Sequence, residues 1–396
     1  MAAKGKTLAN LGLTTARASD LLIKGLAVDS REVCPGYLFA ALPGARVHGA
    51  EFAQFALGQG ASAILTDPKG ADFIARTLLG HDVEICVVDN PRQALACAAA
   101  LFFGAQPQIM MAVTGTNGKT SVSTFCRQIW TQMGLNAVNL GTTGVEGAWS
   151  EPLDHTTPEP ITLHRALAQA AEAGVTHAAM EASSHGLDQM RLDGVTLTVA
   201  GFSNFTQDHL DYHATFEAYF AAKVGLFDRV LDPQGIAVIN VDDAKAADLL
   251  KGCAARGQST ITVGCSHADL QILAQKYNAT GQHILFCWQG KSHQIKVPLV
   301  GGFQGENLML ATAMVLAAGG EAEEVFASLK AVCPVRGRME LAAVRANGAT
   351  VYVDYAHTPD AVTTALTALR PHVMGRLVVV LGAGGDRDPG KRILMG

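Results

Sequence analysis

None of the eight cysteines forms a C-x-x-C pair, and none belongs to a Cys/His cluster with zinc spacing. They are scattered at 34, 86, 97, 126, 253, 265, 287 and 333, which is the usage of reduced thiols. A disulfide framework is therefore excluded, and a cytoplasmic location is expected. No run of about 18 apolar residues occurs, so no membrane-spanning helix is expected. Charged residues make up only 16% of the chain and the net charge is -5. Without a basic field, neither nucleic acid nor an acidic membrane surface is expected as a partner. The first nineteen residues carry Lys4, Lys6 and Arg17 and no acid, but they lack the apolar core of a secretory signal. They read as the start of an ordinary domain. Internal repeats and low-complexity segments are also missing.

What is present is abundant apolar material: 49% of 396 residues are hydrophobic, and 41 are glycine. That is enough for two or three buried cores. Short apolar runs alternate with helical patterns, which predicts an α/β protein with largely parallel sheets. In the first hundred residues, 37–42, 63–65 and 85–88 read as strands, and a helix is predicted from Arg92 to Phe103. A second unit opens with a strand at 109–113 and continues with strands at 137–140, 177–180, 198–202 and 236–239. Weaker strands follow to about 300, and a helix from Glu306 to Ala318 closes the unit. Gln106-Pro107 and Cys333-Pro334 mark boundaries, giving units at 1–107, 108–334 and 335–396. The third shows two obvious strands, 351–353 and 377–381, and is expected to stop inside a domain.

The strongest local signal is Thr114-Gly115-Thr116-Asn117-Gly118-Lys119-Thr120-Ser121, between an apolar strand and a helix. Glycines let backbone N–H groups turn toward phosphate oxygens, and the helix N-terminus adds its positive end. Lys119 can reach the outer phosphates, and the Thr120 hydroxyl can ligate Mg²⁺. Val113 stands where the usual G-x-x-x-x-G-K-[ST] pattern has its first glycine, so the loop is a shortened variant. Alone it indicates a nucleoside triphosphate and leaves kinase, GTPase, ATPase and ligase open.

Glu181 ends a buried strand and opens Glu181-Ala182-Ser183-Ser184-His185-Gly186-Leu187. Ligand sites lie at such strand ends, and a carboxylate there can hold Mg²⁺; a turn cluster of Ser, His and Gly is the plainer alternative. The next strand runs into Asp208-His209-Leu210-Asp211-Tyr212-His213, two Asp and two His within six residues. Lys223 follows among apolar neighbours; read alone, such a lysine snorkels its charge to the surface.

Together these blocks resemble the Mur ligases, and within them the branch acting on UDP-N-acetylmuramoyl-L-alanyl-D-glutamate. The similarity runs from about Val28 to the last residue. It includes Asp29-Ser30-Arg31, 115–120, Thr156-Thr157-Pro158, 181–191, 204–213, Lys223, 337–340, 354–360 and 384–392. It implies three domains: one for the uridine nucleotide, a central P-loop ATPase domain on a mainly parallel sheet, and an incomplete Rossmann-like C-terminal domain for the amino acid. By the same resemblance, Val28, Ser30, Ala45, Arg46 and Val47 would contact the uridine diphosphate. Thr156, Thr157, Ser183, Gln189 and Arg191 would hold the muramoyl dipeptide. Gly115 to Ser121 would hold the ATP phosphates, Asn307 the adenine, and Arg338 and Asp354 the ATP from across a domain junction. Thr120 and Glu181 would bind one Mg²⁺, and His209 with a carbamylated Lys223 a second. Lys119, Glu181, His209 and Lys223 are thus the expected catalytic set, and Arg387 would meet the incoming amino acid. Gln304 stands where the family often has Asn.

The implied reaction is ATP-dependent addition of meso-diaminopimelate to the D-glutamate of UDP-N-acetylmuramoyl-L-alanyl-D-glutamate, by a monomer, through an acyl phosphate. An L-lysine-adding ligase of the same family is the main rival; the Asp-Asn-Pro-Arg motif that marks the diaminopimelate enzymes would lie beyond Gly396. A protein that only binds the nucleotide and the UDP-substrate is the alternative from another class. A folylpolyglutamate synthetase would share the ATP chemistry, but the Ser-Ser-His-Gly-Leu and Asp-His-Leu-Asp-Tyr-His blocks speak against it.

Overall fold

The computed structural model describes residues 5–15, 20–78, 83–206, 212–382 and 390–395. The first sheet has four parallel strands in sequence order: β1 (Gly25–Ala27), β2 (Tyr37–Ala40), β3 (Ala63–Thr66) and β4 (Glu84–Val87). Helix α1 (Pro91–Phe103) follows; Asn90 caps it by accepting from Gln93 N, Pro91 opens its first turn, and Gly104, left-handed, ends it.

The second sheet is large. Its strands are β5 (Ile109–Thr114), β6 (Ala137–Gly141), β7 (Gly144–Gly147), β8 (His177–Glu181) and β9 (Leu197–Phe202). They continue with β10 (Leu231–Asn240), β11 (Ser259–Gly264), β12 (Leu270–Asn278), β13 (Gly281–Trp288) and β14 (Lys291–Val297). The spatial order is β14-β13-β12-β11-β10-β9-β5-β8-β6-β7. Pairing is parallel through the middle and antiparallel at β6–β7, β12–β13 and β13–β14, where short turns replace helical crossovers. Both faces of β5 are covered. Met111 and Val113 join one apolar core, which also holds Phe125 and Leu308, while Met110 and Ala112 join another with Leu163 and Met180. This two-sided burial explains why the strand reads as an unbroken apolar run. From β5 the chain passes to β6, returns to β8 on one side of β5, then crosses to β9 on the other. β5 is therefore the switch point of the sheet, where ligands bind at strand carboxyl ends.

The third unit holds the antiparallel pair β15 (Glu340–Val344) and β16 (Thr350–Val353) and helix α2 (Pro359–Leu369). Residues 377–381, expected as a strand, pair with no other strand among the described residues, and Val380 is 95% exposed. An apolar run cannot form a ladder without a neighbour, so the sequence pattern alone misassigns it. The first strand of the pair, whose Leu341-Ala342-Ala343-Val344 run is short and carries two alanines, was not singled out from the sequence; in the fold Leu341 and Val344 are exposed. The third unit is tied to the central one by His372, whose Nδ1 donates to Asn278 O at 2.6 Å while Nε2 accepts from Gly301 N at 3.0 Å. Among the described residues no helix is long and apolar enough to cross a membrane.

The first and central units also meet closely. A Cβ on Gly194 would lie 2.4 Å from Ala96 O and 2.7 Å from His164 Nε2. His164 is 2% exposed and its Nε2 has no hydrogen-bond partner. Burial pushes its pKa down from 6.5 to about 4. The unfolded chain therefore takes up a proton near pH 6.5 that the folded chain refuses until about pH 4, and stability is lost as pH falls through that window. At pH 5 the loss attributable to this ring is on the order of 2 kcal/mol. Urea unfolding of the wild type and His164→Leu at pH 7 and pH 5 checks it: the variant should show the smaller drop between the two pH values.

Candidate active site

The chain leaves β5 into the loop 115–118 and enters a helix, Lys119–Gln132. Two glycines make that turn possible. Gly118 has φ +89°, and a Cβ there would sit 2.4 Å from Asn307 Oδ1; one on Gly115, at φ +150°, would strike Ser203 Oγ at 2.0 Å. The loop is clamped from β9: Thr116 N donates to Asn204 O at 2.8 Å, and Asn117 N to Asn204 Oδ1 at 2.8 Å. Ser203 Oγ donates to Asn117 O at 2.5 Å. Lys119 curls back over the loop, its Nζ donating to Gly115 O and Thr116 O, both at 2.9 Å.

Beside this loop β8 delivers Glu181, 2% exposed. Its Oε2 accepts from Thr120 Oγ1 at 2.9 Å and from Thr142 Oγ1 at 3.3 Å, and its Oε1 accepts from Thr142 N at 2.8 Å. All these partners are neutral, so a buried carboxylate stands next to the loop without a paired cation among the described residues. Gly141 makes room for it, since a Cβ there would lie 2.0 Å from Glu181 Oε1. The backbone continues the arrangement: Thr157 Oγ1 donates to Glu181 O at 2.9 Å and accepts from Ser183 N at 3.0 Å. Arg191 Nη1 donates to Thr157 O at 2.6 Å, and its Nη2 to Gln189 Oε1 at 2.8 Å. Thr156 reaches the same group through the Thr142 hydroxyl at 3.1 Å.

Lys223, on a helix spanning Phe216–Gly225, is 1% exposed. It does not snorkel. Its Nζ donates to Gly115 O at 2.7 Å and lies 4.4 Å from the centre of the Tyr219 ring, whose hydroxyl meets Thr116 Oγ1 at 3.2 Å. The apolar neighbours wrap the lysine inward against the phosphate loop, and a buried carbonyl takes the place of solvent. The third unit closes the cleft. Arg338 Nη2 donates to Thr120 Oγ1 at 3.3 Å, and Asp354 holds the linker by accepting from Met339 N at 2.9 Å. Asn307 and Ser121 are buried at the same end of the loop.

The resulting cleft of about 960 Å³ is lined by Thr116–Ser121, Thr156, Thr157, Glu181, Ser183, Arg191, Lys223, Asn307, Arg338 and Asp354. A second cleft of about 800 Å³ gathers Val28, Ser30 and Val47 with Phe39, Phe52 and Phe55. Ala45 and Arg46 lie exposed on the adjoining loop. Asp29, at that cleft, is held down at about 2 by the Arg31 guanidinium. His209 and Arg387 lie outside the described residues.

Three parts of this constellation were not singled out from the sequence. Thr142 sits in Gly141-Thr142-Thr143-Gly144 at the end of a strand, and that position was its only signal. Ser203 and Tyr219 act through loop contacts that no motif announces.

Residues 113–315 match the Mur ligase middle domain, 337–396 the glutamate ligase domain and 22–103 the catalytic domain of the Mur ligase family. The chain belongs to the Mur ligase family. Among its relatives, UDP-N-acetylmuramoyl-L-alanyl-D-glutamate--2,6-diaminopimelate ligase of Caulobacter vibrioides is 45% identical over 386 residues. That alignment covers 96% of this chain and 78% of the relative. The enzyme of the same name from Zymomonas mobilis is 45% identical over 381 residues, covering 96% and 77%. A solved structure of a ligase of this name superposes with a TM-score of 0.81 at 33% identity, covering 99% of this chain and 79% of that one. A MurF structure from Acinetobacter baumannii, 19% identical with a TM-score of 0.65, shares the Mur ligase fold.

Proposed function

We infer that this chain is an ATP-dependent amide ligase of peptidoglycan synthesis, joining 2,6-diaminopimelate to UDP-N-acetylmuramoyl-L-alanyl-D-glutamate. The carrying observation is the single cleft in which phosphate loop, buried Glu181, the Thr157–Arg191 group and the third unit's Arg338 converge. The likeness to relatives of that name over nearly the whole chain supports the substrate pair. The meso isomer is the form we propose for the amino acid, and boundaries near 107 and 334 for the three domains.

In this reading the uridine diphosphate lies in the second cleft on Val28, Ser30 and the 45–47 loop, with Phe52 and Phe55 offering apolar faces. The muramoyl dipeptide runs from there to Thr156, Thr157, Ser183, Gln189 and Arg191. ATP spans the phosphate loop, with its adenine toward Asn307 and its phosphates between Lys119 and Arg338. The γ-carboxylate of the D-glutamyl residue attacks the γ-phosphorus, ADP leaves, and an acyl phosphate results. The amine of diaminopimelate then adds to that carbonyl, loses a proton, and expels phosphate. Such a transfer asks the protein mainly for positioning and charge neutralisation. Lys119 and the loop N–H groups neutralise the phosphates, and Arg191 orients the attacking carboxylate.

Hard oxygen donors set side by side, Thr120 Oγ1 and a Glu181 carboxylate balanced only by neutral donors, fit Mg²⁺. Those two residues would hold it, and His209 with a carbamylated Lys223 a second ion. When bound, the metal supplies further positive charge to the phosphoryl oxygens. The cytoplasm suits an enzyme whose eight cysteines are all free. A monomer is the assembly we propose.

The deciding experiment is phosphate release from ATP with the UDP-muramoyl dipeptide and meso-diaminopimelate, L-lysine or no amino acid. Stimulation by diaminopimelate alone is expected. Stimulation by lysine alone would reassign the amino acid, and phosphate release independent of the muramoyl substrate would remove the ligase reading.

A further inference from the structure

We propose that Arg92 is a further substrate-binding residue: together with Arg191 it forms a cation clamp, one arm from each of two units, for an oxyanion of the UDP-muramoyl dipeptide. The proposal rests on the function inferred above. Although Asp89-Asn90-Pro91-Arg92 spells the motif expected past the chain's end, here it caps a helix of the first unit.

The placement comes from the contacts on either side of Arg92. Asn90 Nδ2 donates to Met190 Sδ at 2.7 Å, and Gln93 Nε2 donates to Asp193 Oδ2 at 3.0 Å. Arg191 lies between those two acceptors in the chain, so the junction brings the first turn of α1 up to the Arg191 segment. Arg92 is half-buried, and its Nη2 donates to Pro43 O at 2.6 Å, just before the Ala45–Val47 segment. It thus bridges Pro43, next to the 45–47 loop, and the chain segment that carries Arg191.

No carboxylate pairs with Arg92 among the described residues. The nearby acids are already engaged: Glu159 accepts from Ile161 N and Thr162 N at the cap of a helix, and Asp188 accepts from the Tyr212 hydroxyl at 2.7 Å. Arg191 has neutral hydrogen-bond partners, Thr157 O and Gln189 Oε1. Burial disfavours its charge most, the Glu159 carboxylate offsets part of that, and Arg92 lies near enough to act against it. Two partly desolvated guanidinium groups near one another repel, and an anion held by both relieves that repulsion. The proposed substrate brings two candidates, its diphosphate and the carboxylates of its glutamyl residue.

Calorimetric titration of wild type, Arg92→Gln and Arg92→Lys with the UDP-muramoyl dipeptide and with UDP alone tests the clamp. Arg92→Gln should weaken the full substrate about 10- to 100-fold, the range of a hydrogen bond to a charged group, and Arg92→Lys should weaken it less. ATP affinity and the thermal midpoint should stay at wild-type values. A parallel loss for UDP assigns the anion to the diphosphate; unchanged UDP affinity assigns it to a glutamyl carboxylate. Full-strength binding of the dipeptide by Arg92→Gln overturns the clamp, as does an equal loss of ATP affinity, which would mark a structural role. If the wild type itself ignored the dipeptide, the functional reading would fall before any variant was compared.

Discussion

The Lys119→Ala enzyme is expected to form product on the order of 10³-fold more slowly than the wild type, with little change in the KM of the UDP-muramoyl dipeptide. The asymmetry follows from position. Lys119 Nζ sits over the loop, held by Gly115 O and Thr116 O, and the next residue, Thr120, bonds Glu181. The residues proposed for the peptide form a separate hydrogen-bonded group, Arg191 with Thr157 and Gln189. An ammonium held at that point needs little reorganisation to meet the charge that grows as the γ-phosphoryl group transfers, so its loss acts on kcat. Steady-state kinetics at saturating dipeptide, paired with direct titration of the dipeptide, separate the two parameters. A KM effect as large as the kcat effect would mean that the helix start had collapsed, and the role of the lysine would have to be withdrawn.

The sequence carried this site well where chemistry and backbone coincide. Gly115 and Gly118 announce a loop that no other residues allow, because each Cβ would collide with a neighbour, Ser203 Oγ or Asn307 Oδ1. Glu181 was legible because a charged residue that closes the apolar run Ala178-Ala179-Met180 marks the strand's carboxyl end, where ligand sites lie. The strands 109–113 and 177–180 were legible for the same reason: burial on both faces leaves unbroken apolar runs. Thr142 was not legible, since threonine at a strand end is common and only the fold shows its N–H and hydroxyl on the Glu181 carboxylate. The edge hairpins were faint because Leu273 and Leu285 face outward and blur the alternation. Residues 377–381 mislead in the opposite direction, with an apolar run that predicts pairing where no partner strand lies beside it. Lys223 shows the deepest limit. Apolar neighbours in sequence fit both a snorkelling and a buried lysine, and only the packing of its helix against the phosphate loop chooses between them.

That burial makes Lys223→Ala the second decisive variant, with an expected loss of at least about 10³-fold in kcat and partial recovery when formate or acetate is added. Lys223 Nζ and Lys119 Nζ donate to the same oxygen, Gly115 O, at 2.7 and 2.9 Å. The carbamate proposed above at Lys223 would form from its neutral amine. A neutral amine reacts with CO₂, releasing a proton and leaving a carbamate. The carbamate has a carboxylate head on a long stem, an acceptor where the ammonium was a donor. Beside Lys119 the pair would then be opposite in charge, and the new carboxylate would offer oxygen donors to a cation at the phosphate loop. A second readout needs no turnover: after equilibration with ¹³C-bicarbonate, the wild type should show a carbamate carbon resonance that Lys223→Ala lacks. Loss of activity without rescue by any short carboxylic acid, together with no such resonance, would return Lys223 to a cation that braces the loop. Near-normal activity of Lys223→Ala would leave it as packing for Tyr219 and nothing more.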